Sequence, residues 1–164
     1  MDHRTKLIAL LASALCLGCA AARWSLLKPF REPGEKLESF PDVVWREYDC
    51  GNQSRPFFII EKNELTPQTL SAGGDFGHRL VYIMCPERPT EVVQGTLSTR
   101  IRFKGNPIVE QTDPRYEIKP GRWVVDALVH LPEQAERGIY AYELAFESAQ
   151  LRFDKSLTFV VEPR

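Results

Sequence analysis

The chain has 164 residues, which is enough for one domain or at most two. Of its residues 43% are apolar, 26% are charged and 10% are aromatic, a composition that excludes a disordered, collagen-like or multi-span membrane protein. The chain has 21 basic and 22 acidic residues, so it carries no overall positive field that would attract a phosphate backbone. Nucleic acid is therefore not an expected partner.

The N-terminal residues have the pattern of a secretion signal. Arg4 and Lys6 precede an apolar stretch from Leu7 to Leu17, which is followed by small residues. As a helix this stretch would span about 16 Å, roughly half of the ~30 Å hydrocarbon core of a bilayer. We therefore predict that residues 1–18 are a cleaved signal peptide and not a transmembrane helix.

The end of this segment, Leu17-Gly18-Cys19, resembles the lipobox of bacterial lipoproteins, in which a small residue precedes a cysteine that receives a diacylglyceryl group. The resemblance implies cleavage before Cys19 and lipidation of Cys19. Several acyl chains, each contributing ~0.8 kcal/mol per buried methylene, would hold the protein on a membrane. Ala20 is not the Asp that signals inner-membrane retention in enterobacterial lipoproteins, which implies an outer-membrane protein facing the periplasm. Ordinary signal cleavage within residues 18–22 is the alternative.

Residues 19–42 contain three prolines among mixed charges and show no sustained apolar period, so they predict a tether. From Val43 onward, short β segments alternate with turn residues. The clearest alternation is in Gly95–Lys104, with Leu97, Ile101 and Phe103 on one face. The apolar run Arg79–Met84 predicts a central strand covered on both faces. About seven strands predict an all-β, antiparallel sandwich domain over residues 43–164.

The segment from Pro120 to Phe146 resembles the E to F corner of immunoglobulin-like and fibronectin type III-like domains. It has a long strand, a short proline-containing crossing and Gly138-x-Tyr140 at the start of the next strand. The resemblance implies an immunoglobulin-like sandwich in which the Tyr140 hydroxyl bonds to backbone a few residues upstream. A fold of this kind does not by itself define a function.

Cys50 and Cys85 are the cysteines that remain after lipidation or cleavage, and their parity in an oxidising compartment predicts one disulfide. Closing a loop of about 35 residues would stabilise the fold by about 4 kcal/mol in the chain-entropy model. Because Cys50 follows the predicted first strand, Val43–Tyr48, the bond is expected to join the N-terminal edge of the domain to its core.

The sequence offers no catalytic or metal-binding constellation. Outside the signal segment the histidines are His78 and His130, and there is no H-E-x-x-H, no paired C-x-x-C and no phosphate-binding glycine loop. His130 lies on the polar phase of its predicted strand, as surface histidines do. We therefore expect no enzymatic activity, no cofactor and no metal.

Two segments are candidate binding surfaces. The predicted loop 71–78 combines glycines with Asp75, Phe76 and His78, which suits a recognition tip or a weak metal site, or else a long turn whose glycines supply positive φ. A second candidate is the exposed phase of one strand, which would suit an acidic partner, an anionic lipid or a glycan, or else be a solvated face. Its cations are Arg100, Arg102 and Lys104.

Two functions fit these features. The first is a non-catalytic interaction or assembly module that contacts another envelope protein and is held on the membrane by its lipid anchor. The second is a lipid or small-molecule carrier, because Trp45 and Asp49-Cys50-Gly51 resemble the opening of ML-type lipid-binding sandwiches. A carrier needs an apolar cavity of at least several hundred Å3 between its sheets, whereas a module has a filled core.

Overall fold

The computed structural model describes residues 31–163, and these form an all-β domain with one short helix. A single 3-10 turn, Cys50–Asn52, follows the helix. The elements in chain order are β1 (Gly34–Ser39), α1 (Pro41–Glu47), β2 (Phe57–Thr66), β3 (Thr69–Ser71), β4 (Asp75–Cys85), β5 (Val93–Phe103), β6 (Asn106–Ile118), β7 (Gly121–His130), β8 (Gly138–Glu147) and β9 (Arg152–Glu162). The predicted tether up to residue 30, the signal peptide and Cys19 lie outside the described residues.

The strands form two sheets, in the orders β1-β7-β4-β2 and β3-β9-β8-β5-β6. Every pairing is antiparallel except that between β3 and β9. The chain changes sheet five times, between β2 and β3, β3 and β4, β4 and β5, β6 and β7, and β7 and β8. Strands β4 and β7 correspond to B and E of an immunoglobulin domain, and β5, β8 and β9 to C, F and G. The predicted immunoglobulin-like sandwich is confirmed, with nine strands where about seven were expected.

Strand β4 is the centre of the first sheet, as its apolar sequence predicted. Leu80, Tyr82 and Met84 point between the sheets and pack against the second sheet. Ile83 and Cys85 point to the other face, where they pack against side chains of α1 and the turn that follows it. Because both faces of the strand are covered, its residues carry no polar alternation.

The crossing from β7 to β8 has the predicted tyrosine corner. The Tyr140 hydroxyl donates a hydrogen bond of 2.7 Å to the backbone oxygen of Glu136. The Tyr140 ring stacks on Phe103, with centroids 4.4 Å apart. A Cβ at Gly138 would lie 2.7 Å from the Phe103 ring, which explains the glycine at the start of β8. The corner therefore fixes the crossing through both a hydrogen bond and ring packing.

The N-terminal boundary of the domain differs from the sequence prediction. Gly34–Ser39, assigned above to the tether, forms β1 and pairs with β7, with Leu37 opposite Trp123. Apart from Leu37 this strand has only polar residues and glycine, because it is an edge strand with most of its side chains exposed. Backbone pairing with β7 stabilises this strand, so it needs few apolar side chains and its sequence shows little apolar pattern.

The prediction that Val43–Tyr48 is the first strand is also wrong, because Pro41–Glu47 forms the helix α1. Pro41 stands in the first turn, where its fixed φ suits a helix and its missing N–H is not needed. Asp42 and Arg46 form an i,i+4 ion pair, with nitrogen and oxygen 3.5 Å apart. Val44 is the buried residue of the helix, and the adjacent valines gave a misleading β signal.

The disulfide between Cys50 and Cys85 is present, with their Cα atoms 6.1 Å apart. Both cysteines are buried, in one cluster with Val44 and Ile83. The bond joins the turn after α1 to the end of β4, as expected for a link between the N-terminal edge and the core. The position of α1 on the first sheet is therefore fixed covalently.

Candidate functional site

The predicted recognition loop 71–78 is not a loop over most of its length, because β4 begins at Asp75. Phe76 is fully buried and contacts the rings of Tyr142 and Phe159. His78 is 3% exposed, so it too points into the core. Of the three proposed binding residues only Asp75 reaches the surface, where its carboxylate lies 2.8 Å from Nδ1 of His130. The prediction of a recognition tip is wrong, because the inward phase of β4 starts at Phe76.

His78 is a hydrogen-bonded core residue. Its Nε2 lies 2.7 Å from Oδ1 of Asn63, and Nδ1 lies 3.4 Å from the hydroxyl of Tyr142. With Nε2 donating to the Asn63 oxygen, Nδ1 accepts from the hydroxyl. Burial lowers the pKa of His78 to about 4, and the charge of Asp126 opposes this only partly. The described residues contain no group of three or more potential ligands that could hold a metal ion.

The three predicted cations lie at the surface, Arg100 and Arg102 on β5 and Lys104 in the turn after it, where the predicted strand does not continue. Each of them has an acidic partner. The pairing distances lie between 2.7 and 2.9 Å. The positive charge of this row is thereby balanced locally, which weakens its attraction for an anionic surface. The pairs are Arg100 with Glu110, Arg102 with Glu143, and Lys104 with Glu136.

The outer face of the second sheet contains an open groove of about 570 Å3 over β5, β8 and β9. The base of the groove is formed by two small side chains, Ser98 and Ala145, which lie opposite each other in neighbouring strands. We name three cross-strand rows by their β5 residue. They are the Thr96 row (Thr96, Glu147, Arg152), the Ser98 row (Ser98, Ala145, Asp154) and the Arg100 row (Arg100, Glu143, Ser156).

The rim of this groove is charged. Glu147 and Arg152 approach to 3.9 Å, which is beyond hydrogen-bond distance, and both are largely exposed. Asp154 and Lys155 also line the groove. Within residues 31–163 neither of these two has an ion-pair or side-chain hydrogen-bond partner. The groove therefore offers both signs of charge to a ligand.

A second surface lies beside α1 and was missed by the sequence analysis. We name it the α1 groove; it has a volume of about 510 Å3 and is lined by Pro41, Asp42, Trp45, Arg46, Pro89 and Thr90. The guanidinium of Arg55 lies 5.5 Å from the centre of the Trp45 ring. Elsewhere on the helix and its N-cap, Phe40 is 65% exposed and Val43 is 40% exposed. The available signal was Pro41 with Trp45 one helical turn later, which the β prediction obscured.

The α1 groove rests on a fixed support. Arg122 on β7 donates to Glu47 at the end of α1 and to Glu61 on β2, each at 2.9 Å. The Tyr48 hydroxyl donates to the same Glu61 carboxylate at 2.7 Å. These carboxylates raise the pKa of Arg122, and Arg122 in turn lowers the pKa of Glu61. With the disulfide, this network ties the helix to three strands of the first sheet.

No protein-family model matches the chain, and no curated protein matches it. Among solved structures, the chain is similar to an alkylpurine DNA glycosylase, AlkC, from Pseudomonas fluorescens, with 11% identity and a TM-score of 0.46 over 63% of this chain and 30% of that one. It is also similar to a family 123 glycoside hydrolase from Clostridium perfringens, with 12% identity and a TM-score of 0.44 over 58% and 22% of the two chains.

A β-glucosidase, EmGH1 from Erythrobacter marinus, has 9% identity and a TM-score of 0.45 over 65% of this chain and 15% of that one. The chain thus spans less than a third of the length of each of these proteins. Over residues 31–163, no helix is long and apolar enough to cross a membrane. The two grooves are therefore interpreted from their own residues.

Proposed function

We propose that this protein is a lipid-anchored binding module of the bacterial cell envelope, without catalytic activity of its own. Cys19 is the site of lipid attachment, the outer membrane facing the periplasm is its location, and another envelope protein is its partner. The observation that carries the binding role is the α1 groove. It presents Trp45 and two prolines in a surface depression with charged side chains at its rim.

This arrangement has the features of an interface hot spot. Such sites hold an aromatic anchor in an apolar pocket surrounded by polar groups that exclude water. Affinity also rises when the surface needs no ordering on binding, because conformational entropy is then not lost. The disulfide and the Arg122 network supply that order for α1.

The filled core favours a module over the alternative of an ML-like carrier. Aromatic rings from both sheets are in contact across the space that acyl chains would need. Phe76 and Phe159 have centroids 4.9 Å apart, and Phe58 and Phe153 stack at 5.0 Å. A carrier would have to displace these rings, at a cost of several kcal/mol in lost packing.

A site-specific photo-crosslinker tests the binding role in the intact envelope. Benzoyl-phenylalanine at Thr90, which lines the α1 groove, should yield a discrete crosslinked envelope protein. At Gln111, an exposed position of β6, the same group should not. Gly51→Arg, beside Trp45 Nε1, should reduce the product obtained from Thr90, whereas Gly51→Ala, whose Cβ would lie 3.9 Å from that atom, should preserve it. Equal crosslinking from both positions would contradict the proposed surface.

Two further measurements address the anchor and the alternative. Metabolic labelling with an alkyne fatty acid should modify the wild-type chain and not a Cys19→Ser variant; an unlabelled wild type would contradict the lipoprotein assignment. Mass spectrometry of the purified protein under non-denaturing conditions separates the two functions. One bound lipid per chain, retained through purification, would favour the carrier.

A further inference from the structure

Strand β9 has a free backbone edge over part of its length. The strand lies between β8 and β3 in the second sheet, but β3 pairs with it only over residues 160–162. Over residues 152–157, β9 pairs with β8 on one side and, within the described part of the chain, with no strand on the other. This stretch contains no proline, and its register with β8 is regular. At about 20 Å it is long enough to receive an additional strand.

The direction of the free backbone groups follows from the contact between β3 and β9. The N–H of Val160 donates to the backbone oxygen of Gln68, just before β3, at 2.8 Å and so points away from β8. In a regular strand both backbone groups of one residue point to the same side, and the side alternates along the chain. The N–H and C=O groups of Arg152, Asp154 and Ser156 therefore point away from β8. Within residues 31–163 these groups make no hydrogen bond.

The inward phase of this edge has one cation between two apolar residues. Phe153, Lys155 and Leu157 lie on that phase, because each is opposite a buried residue of β8. Phe153 and Leu157 are half-buried. Lys155 is exposed, since its long stem lets the ammonium reach solvent at the open side of the sandwich. Within residues 31–163 Lys155 has no ion-pair partner, so its charge is available to a ligand.

We infer that residues 152–157 of β9 are a second binding site, for an extended segment of a partner protein that pairs with them as an additional antiparallel strand. The segment has one acidic side chain opposite Lys155 and apolar side chains two positions before and after it. Because the backbone groups of Lys155 point to β8, this pair has no hydrogen bonds between its backbones, and side chains are closest in such pairs. Main-chain hydrogen bonds supply affinity and the alternate side chains supply specificity. This site goes beyond the proposed function, because it involves neither α1 nor the lipid anchor.

Lys155 also disfavours the other occupants that an open edge attracts. An apolar strand would cover the ammonium without a counter-charge, and inward-facing charges protect edge strands for this reason. A second copy of β9 in an antiparallel pair would place Lys155 opposite another Lys155, or opposite an apolar residue such as Phe153 or Leu157. None of these supplies a carboxylate. The lysine therefore selects a strand that has an acidic residue at one position.

The binding test is an NMR titration of the full chain with the peptide acetyl-Thr-Val-Thr-Glu-Thr-Val-Thr-amide. Three comparison peptides carry Gln, Leu or Lys in place of Glu. A fourth has the same composition but places Glu on the other face of the strand, as acetyl-Thr-Val-Glu-Thr-Thr-Val-Thr-amide. The first peptide should bind in a saturable manner, and the Gln peptide about five-fold more weakly, the upper end for one exposed ion pair. The Leu, Lys and rearranged peptides should also bind more weakly than the first.

Hydrogen exchange and backbone methylation test the strand pairing itself. The amides of Arg152, Asp154 and Ser156 should exchange more slowly once the peptide is bound, whereas those of Lys155 and Leu157 already point to β8 and should change little. Methylating the backbone nitrogens of the two threonines beside Glu, which would face Ser156 and Asp154, should abolish binding. Methylating the nitrogens of the two valines, which would point away from β9, should not.

Variants of the chain locate the charge. Lys155→Glu should reverse the selectivity, so that the Lys peptide binds better than the Glu peptide. Lys36→Glu, at an exposed position of β1 in the other sheet, should leave the selectivity unchanged. No binding, equal binding of the Glu and Leu peptides, no alternating amide protection, or an unchanged selectivity in Lys155→Glu would each overturn the inference. A dimer in sedimentation experiments that the Glu peptide dissociates would assign the edge to a second copy and would overturn it as well.

Discussion

Protonation of His78 should couple the stability of the domain to pH. The imidazole is buried between the sheets and is neutral when its Nε2 donates to Asn63. Its folded-state pKa of about 4 lies below the ordinary value of 6.5. The unfolded chain therefore binds a proton more readily than the folded one, and folding becomes less favourable as the pH falls. The stability that the neutral imidazole contributes is fully present above pH 6.5 and is lost as the pH falls from 6.5 to about 4.

The size of the effect follows from that difference in pKa. At about 1.4 kcal/mol per pH unit, the full loss is about 3 kcal/mol, and about 2 kcal/mol of it has occurred at pH 5. That is a large fraction of the typical free energy of unfolding of a domain, which is about 5–15 kcal/mol. Asp126 is the charged group that acts on His78 in the opposite direction, by favouring the imidazolium.

Urea denaturation at several pH values between 7.5 and 4.5 measures this coupling. His78→Phe removes the titration and keeps a ring against Tyr142, whose centroid lies 4.8 Å away. The variant should be less stable than wild type at pH 7.5, and the difference should shrink by about 2 kcal/mol at pH 5. A core variant on the same strand, Phe76→Leu, should keep a constant difference. If the His78→Phe difference is also constant, the neutral buried imidazole is not the coupled group.

Three further predictions concern stability. Tyr140→Phe should lower the free energy of unfolding by about 1 kcal/mol, measured in urea, because the 2.7 Å bond to the Glu136 carbonyl is lost; an unchanged midpoint would refute this. Gly95→Ala should lower the free energy of unfolding by about 1–3 kcal/mol, because its Cβ would lie 2.6 Å from the Phe146 ring. Gly51→Ala should leave the free energy of unfolding nearly unchanged in the same assay. Reducing the disulfide should lower stability by about 4 kcal/mol, so a thermal midpoint insensitive to reductant would contradict the loop-entropy estimate.

The elements that the sequence predicted well are those whose side chains alternate between core and solvent. On β5, Leu97, Ile101 and Phe103 contact the core as their spacing indicated. Tyr140 could be placed because a corner needs a glycine and a hydroxyl at fixed spacing. In both cases the residues that the local sequence pattern favours are also the residues that the tertiary contacts need. The sequence pattern therefore predicts the contacts.

Sequence reasoning failed where tertiary contacts decide the structure. The strand β1 is held by the ladder of β7 and has little apolar content of its own. His78 and Phe76 lie on the inward phase of β4, but the glycines before them gave the signal of a long loop. The grooves depend on which strands are neighbours, and strand order is not a local property of the sequence. Ala145 becomes the floor of a site only because Ser98 lies opposite it.

The helix α1 connects the proposed compartment to the proposed binding surface. A helix of seven residues is too short to be stable by itself in water, so its structure depends on its attachments. These are the burial of Val44, the Arg122 network and the disulfide. Disulfides form and persist mainly in oxidising compartments, which agrees with the export proposed above. Binding through the α1 groove should therefore weaken under reducing conditions that leave the two sheets folded.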